Sequence, residues 1–148
     1  IASQLYFGKV DLTMALNGAL AGLVSITAEP LAPSLGAATI IGGIGGLIVV
    51  FTVPLLDRMK IDDVVGAIPV HLIAGIWGTI AVVFTNSDAS LGSQIYGILV
   101  IGVFTFVSSG VIFLAVSKVI GLRCSEEEEV KGLDTSELGM EAYPEFAN

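Results

Sequence analysis

Charge is what this chain has least of. Lysine and arginine number 6 and aspartate and glutamate 14 among 148 residues, so 14% of the chain is charged, against roughly 25% in soluble domains. Cysteine is reduced to Cys124, which excludes an internal disulfide and any cysteine metal cluster. Basic residues are too few to offset the acids. The net charge of −8 argues against nucleic acid and against docking on anionic lipid. No charged n-region opens the chain: Ile1 begins an apolar phrase, IASQLYFGK, unlike a secretory signal. The expectation is that Ile1–Phe7 are the last turns of a membrane helix in a longer polypeptide. Histidine, too, occurs once, at position 71.

What is present is long uncharged sequence. Apolar residues make up 54% of the chain and its mean hydropathy is +0.91. Four uncharged runs account for this: Leu12–Ala28, Pro30–Leu56, Val64–Ser87 and Ala89–Ser117, of 17, 27, 24 and 29 residues. Each is within or above the length needed to span a bilayer as a helix. The predicted fold class is therefore an all-α, polytopic membrane helix bundle. Its membrane domain covers residues 1–121, with helices at about 10–28, 32–56, 64–86 and 92–119. The six basic residues, Lys9, Arg58, Lys60, Lys118, Arg123 and Lys131, all lie before run one, between runs two and three, or at and after the end of run four. The positive-inside rule then places those connections and the C-terminus in the cytoplasm of a multi-pass cell-membrane protein.

His71 stands inside the third run. An ionisable ring in a membrane span is expensive without a partner, which makes it the first functional candidate. On an ideal α-helical wheel Ala67, Ala74, Gly75 and Gly78 fall within about 60° of it, with Ile73, Ile76 and Ile80 opposite. A small-residue face admits a close backbone or a narrow cavity. Pro69 lies two residues earlier and frees the Val65 carbonyl inside the helix, an acceptor that a neighbour or water must meet. Asp62 and Asp63 precede this helix. They suit helix capping, the favoured role, or support of a pore mouth. Thr27 either presents its hydroxyl to a pore or returns it to its own helix. Trp77 points about 120° from His71 and suits packing, and Tyr96 suits an interface anchor. Gly18 with Gly22, and Gly42 with Gly46, form two GxxxG spacings that allow close helix crossings.

After Arg123 the character changes. Residues 122–148 hold eight acidic and two basic residues, so the acidic balance belongs to a separate cytoplasmic tail. Ser125 and Glu128 fit a capping box, with Glu126–Glu129 filling the first turn of a short helix. The adjoining phrase, GLDTSELGMEAYPEF, combines turn residues with isolated anchors, Leu133, Leu138, Tyr143 and Phe146. These are too few for an independent core and suit lying along a surface.

That phrase resembles the cytoplasmic tail of the Amt/Mep ammonium transporter family, whose pattern is G-L-D-x-x-x-H-G-x-x-A-Y. Gly132, Leu133, Asp134, Gly139, Ala142 and Tyr143 match, and Leu138 stands where the family has histidine. DDVVGAIPVH, Asp62–His71, resembles the family's D-D-x-x-x-x-x-x-V-H approach to its tenth helix, with Gly75 and Gly78 continuing the match. NGALAGLVSIT, Asn17–Thr27, resembles its eighth helix. The likeness covers essentially the whole chain.

The resemblance implies the C-terminal part of an eleven-helix transporter, helices eight to eleven with the end of seven. It implies transport of ammonium or ammonia for nitrogen uptake, no enzymatic activity and no cofactor or metal. His71 would be the second of two pore histidines, with Thr27 a further pore candidate. The tail residues would be regulatory. The implied partners are the lipid bilayer, two further copies in a homotrimer, and a PII-type signalling protein on the cytoplasmic face. The alternative function is an ammonium sensor or regulatory membrane subunit on the same scaffold, which the leucine at position 138 keeps open.

Overall fold

A computed structural model describes residues 1–146; Ala147, Asn148 and the side chain of Phe146, one of the expected tail anchors, lie outside the described part. Every regular element among the described residues is helical: α1 (Ala2–Phe7), α2 (Leu12–Ile26), α3 (Leu35–Arg58), α4 (Ile68–Phe84), α5 (Leu91–Val119), α6 (Glu126–Lys131), α7 (Leu133–Ser136) and a closing 3₁₀ turn (Pro144–Phe146). Two of them, α3 and α5, are long and apolar enough to cross a membrane, and α2 and α4 are shorter apolar helices.

Local chemistry sets the helix ends. Asp11 caps α2 by accepting the Met14 amide at 2.8 Å, and Ser34 caps α3 through the Ala37 amide at 3.3 Å. Each satisfies an amide that the first helical turn leaves without a partner. At the far end of α3, Lys60 takes a left-handed φ of 59° while the Ile61 amide reaches back to the Leu56 carbonyl. This is a Schellman-type stop on a residue other than glycine. The helix after it begins later than the apolar run that contains it. Gly66 is left-handed, at φ 75°, so residues 64–66 turn and α4 starts at Ile68.

Residues 1–102 form one compact unit, built on the packing of α2, α3 and α4. The two glycine pairs meet. A Cβ on Gly22 would lie 3.2 Å from the Gly42 carbonyl oxygen, and one on Gly46 would lie 3.2 Å from that of Gly18. Backbone therefore lies on backbone in an antiparallel crossing that side chains would prevent. α4 packs alongside, and Ala21, Val49, Val70 and Ala74 form the buried core, with Met14, Val24 and Val53 against it. Ser25 sits at the junction of the three helices, 1% exposed. Its hydroxyl donates to the Ala21 carbonyl at 2.7 Å and approaches the Ala74 carbonyl at 3.4 Å. Asn86, after α4, donates to Glu29, after α2, at 2.7 Å and ties those two connections together.

The described residues from 103 onward form the second unit, which starts within α5; no residue of α5 is buried. The rest of this unit is held by polar local contacts. Ser125 and Glu128 make a reciprocal capping box. Arg123 pairs with Glu129 at 3.1 Å, exposed on both sides, and so contributes little to stability.

Candidate functional site

His71 lies in a wide turn. Ile68–Ile73 is a π-helical segment that opens α4 and passes into ordinary α-helix at Ala74. Such turns bond i to i+5, are rare, and occur frequently at functional sites. The geometry changes the expected face. A π turn holds more residues per turn than an α turn, so an α-helical wheel carried through it misplaces His71 relative to the residues beyond Ile73. Ala74 and Gly78 are buried against α2, where a Cβ on Gly78 would come 2.5 Å from the Ser25 carbonyl oxygen. His71 is exposed, and among the described residues its ring has no hydrogen-bond partner. The small residues thus serve helix packing, and the imidazole is turned away from it.

The approach to this turn is pinned at three points. The Asp63 carboxylate accepts the Ala67 and Ile68 amides, both at 2.8 Å, a carboxylate at the positive end of a helix. Asp62 is exposed and makes no such contact. Pro69 falls in the first turn of α4, where a missing N–H costs no helical bond, so the Val65 carbonyl is free not because of Pro69 but because it lies in the turn ahead of the helix; it accepts the side-chain amide of Asn17 at 2.9 Å. The third point is Gly66, where a Cβ would lie 2.7 Å from the same Asn17 nitrogen.

Thr27 is placed elsewhere. Asn17 meets the start of α4 and Ser25 meets Ala74, so α2 and α4 run parallel. Thr27 then lies further along the axis than His71, and its hydroxyl donates to its own Val24 carbonyl at 2.7 Å. Trp77 donates its indole N–H to the Ile41 carbonyl at 3.0 Å, which links α4 to α3. Asn17 and Ser25 enter the sequence reading only as part of the stretch that resembles the eighth helix, with no role of their own. The signal that could have found them is a buried polar side chain within an apolar run.

In the tail, Asp134 organises the motif. Its carboxylate accepts the Ala142 amide at 2.9 Å, and its carbonyl accepts the Met140 amide at 3.1 Å. The hydrogen bond from the Ala142 amide, and after it that from the Thr135 amide, holds the Asp134 carboxyl below the usual aspartate value. Gly132 (φ 100°) and Gly139 (φ 65°) supply left-handed turns on either side, and a Cβ on Gly132 would press on Asp134 Oδ1 at 2.6 Å. Glu128 is likewise lowered, first by the Ser125 amide and then by the Ser125 hydroxyl. Leu133, Leu138 and Tyr143 remain exposed, Leu138 by 67%.

Residues 1–143 match the sequence profile of the Ammonium Transporter Family. The chain belongs to the ammonium transporter family. It is 42% identical to the ammonium transporter Amt1 of Haloferax mediterranei over 99% of this chain and 29% of that protein. It is 36% identical to ammonium transporter Amt2 of Archaeoglobus fulgidus over 94% of this chain and 34% of that one. A third relative, ammonium transporter Amt2 of Methanocaldococcus jannaschii, is 37% identical over 91% of this chain and 34% of its own length. The chain therefore spans about a third of the length of the curated relatives it matches. Membership makes it a membrane protein of a transporter family, not an enzyme.

Proposed function

We propose that the chain is the C-terminal third of an ammonium transporter and that His71 lines its pore. The observation that carries this reading is the exposed, unpartnered imidazole on a π turn whose neighbours are packed and pinned. Ammonium is strongly hydrated, and a dry passage penalises it heavily. Ammonia is neutral and can cross where polar groups replace some of its hydrogen bonds. A neutral imidazole offers one donor and one acceptor. The remainder of the transporter supplies the opposite wall and a second imidazole facing this one. Thr27 lies further along the same passage. Asp63 holds the pore helix by its amides, with Asp62 beside it at the mouth.

In this reading α2, α3, α4 and α5 are the last four of eleven spans, and residues 122–148 are a cytoplasmic regulatory tail. The assembly is a homotrimer in the cell membrane, and a PII-type signalling protein docks on its cytoplasmic face. The apolar surface of α5, unburied within the chain, meets lipid and neighbouring subunits. Gly132, Leu133, Asp134, Gly139, Ala142 and Tyr143 shape the tail for that regulation. The test is a chimera in which this chain replaces the matching third of the Haloferax mediterranei relative. Ammonium-evoked current in reconstituted vesicles, above that of empty liposomes, is the expected result. Normal assembly without current would count against it.

A further inference from the structure

Three contacts converge on residues 65–68, immediately ahead of the turn that carries His71. One of them comes from a different helix and from far away in the chain. Asn17, 9% exposed, reaches across from α2 to the Val65 carbonyl, 48 positions later. That carbonyl lies in the turn ahead of α4, where no helical amide meets it, and an unmet acceptor within a membrane span is costly. An amide side chain is suited to the task, because it donates without bringing a charge into the span. Left-handed Gly66 lets it approach, since any side chain there would collide with its nitrogen.

The consequence falls on His71. A π turn persists only where its surroundings hold it. If it relaxed to α-helix, the flanking residues would rotate relative to each other by about 100°. That would carry the imidazole out of its present direction. We infer that Asn17 is a positioning residue for His71: by satisfying the Val65 carbonyl it fixes the π turn and thereby the aim of the ring. This rests on the reading of His71 as a pore residue and extends it to a helix that does not carry the histidine.

A plain staple between α2 and α4 would stabilise the protein without any special relation to His71, and a double-mutant cycle separates the two roles. The experiment uses the complete chimeric transporter in vesicles, with ammonium and potassium currents recorded for wild type, Asn17→Leu, His71→Ala and the double variant, at matched membrane levels. Asn17→Leu should lower maximal ammonium flux by about tenfold with little change in KM, as misplacing a functional group by about 1 Å can. The double variant should be no worse than His71→Ala alone. Losses that multiply, or wild-type flux and selectivity in Asn17→Leu beside an altered His71→Ala, would overturn the positioning role and leave the pore reading standing. An unaltered His71→Ala would overturn both.

Where Asn17→Leu fails to accumulate, or His71→Ala conducts too little for the cycle, Asn17→Ala and Asn17→Gln decide. The first removes the donor without adding bulk, and the second keeps an amide donor. Asn17→Gln should lose clearly less flux than Asn17→Ala at matched membrane level. Equal loss, or equal failure to accumulate, in both would overturn the proposal.

Discussion

Gly78 and Gly75 lie less than one turn apart on α4, yet alanine should be tolerated at only one of them. A Cβ at position 78 would lie 2.5 Å from the Ser25 carbonyl oxygen and 2.8 Å from the Ser25 Cα. Both atoms are backbone, so no rotamer change can relieve the clash, and α2 and α4 must separate by about 1 Å to restore ordinary contact. Overpacking of this kind costs about 1–3 kcal/mol, offset by up to ~1 kcal/mol of helix propensity gained over glycine. At Gly75 the nearest atom is Val24 Cγ1 at 3.8 Å, an ordinary contact, so only the propensity gain remains. The two variants should therefore differ by about 2 kcal/mol, or roughly 2 °C in Tm for a transporter of about 500 residues. Scanning fluorimetry of the purified chimeric transporter measures this. Gly78→Ala should also lose flux, because the helix it displaces carries His71, whereas Gly75→Ala should keep it. Equal stability and equal flux in the two variants would refute the close α2–α4 packing at Ser25.

Three further outcomes are expected. Deleting residues 132–148 from the complete transporter should lower flux while assembly and membrane level stay normal; wild-type flux would make the tail a passive extension. Asp134→Asn should weaken the Ala142 contact and increase hydrogen exchange at the Ala142 amide several-fold; unchanged protection would remove Asp134 as the organiser of the motif. Glu128 and Asp134 both have folded-state values below their ordinary 4.5 and 3.8, so their contribution to tail structure is full above those ordinary values and is lost as pH falls through the lowered ones. Amide protection at Glu128 and Ala142, corrected for intrinsic exchange, should accordingly hold near neutrality and collapse only in acid. A collapse on raising the pH would contradict the assigned hydrogen bonds.

Much of this architecture is written locally, and that part is legible in the sequence. The uncharged runs mark the apolar helices, and Ser125 and Glu128 spell out their capping box three residues apart. The tail motif and the approach to His71 together identify the family. What cannot be read is what depends on distant partners or on departures from ideal helix geometry. The donor to Val65 is separated from it by 48 positions, and nothing in the periodicity of either segment pairs them. The π turn cannot be seen on an α-helical wheel, which assigns His71 to the face of Ala74 and Gly78. Those residues pack on Ser25 instead, without the histidine, because a π turn changes the angular step. Gly66 shortens the helix within its apolar run for a similar reason: its apolar neighbours hide a left-handed turn that only the backbone reveals.

The most direct test of the central claim is the ratio of ammonium to potassium current in the complete transporter with His71 changed to alanine. His71 as a pore imidazole predicts a sharp change in flux, in that ratio, or in both, at normal membrane level. Flux and discrimination both equal to wild type would mean that the passage runs elsewhere and that the exposed ring on its π turn serves another purpose.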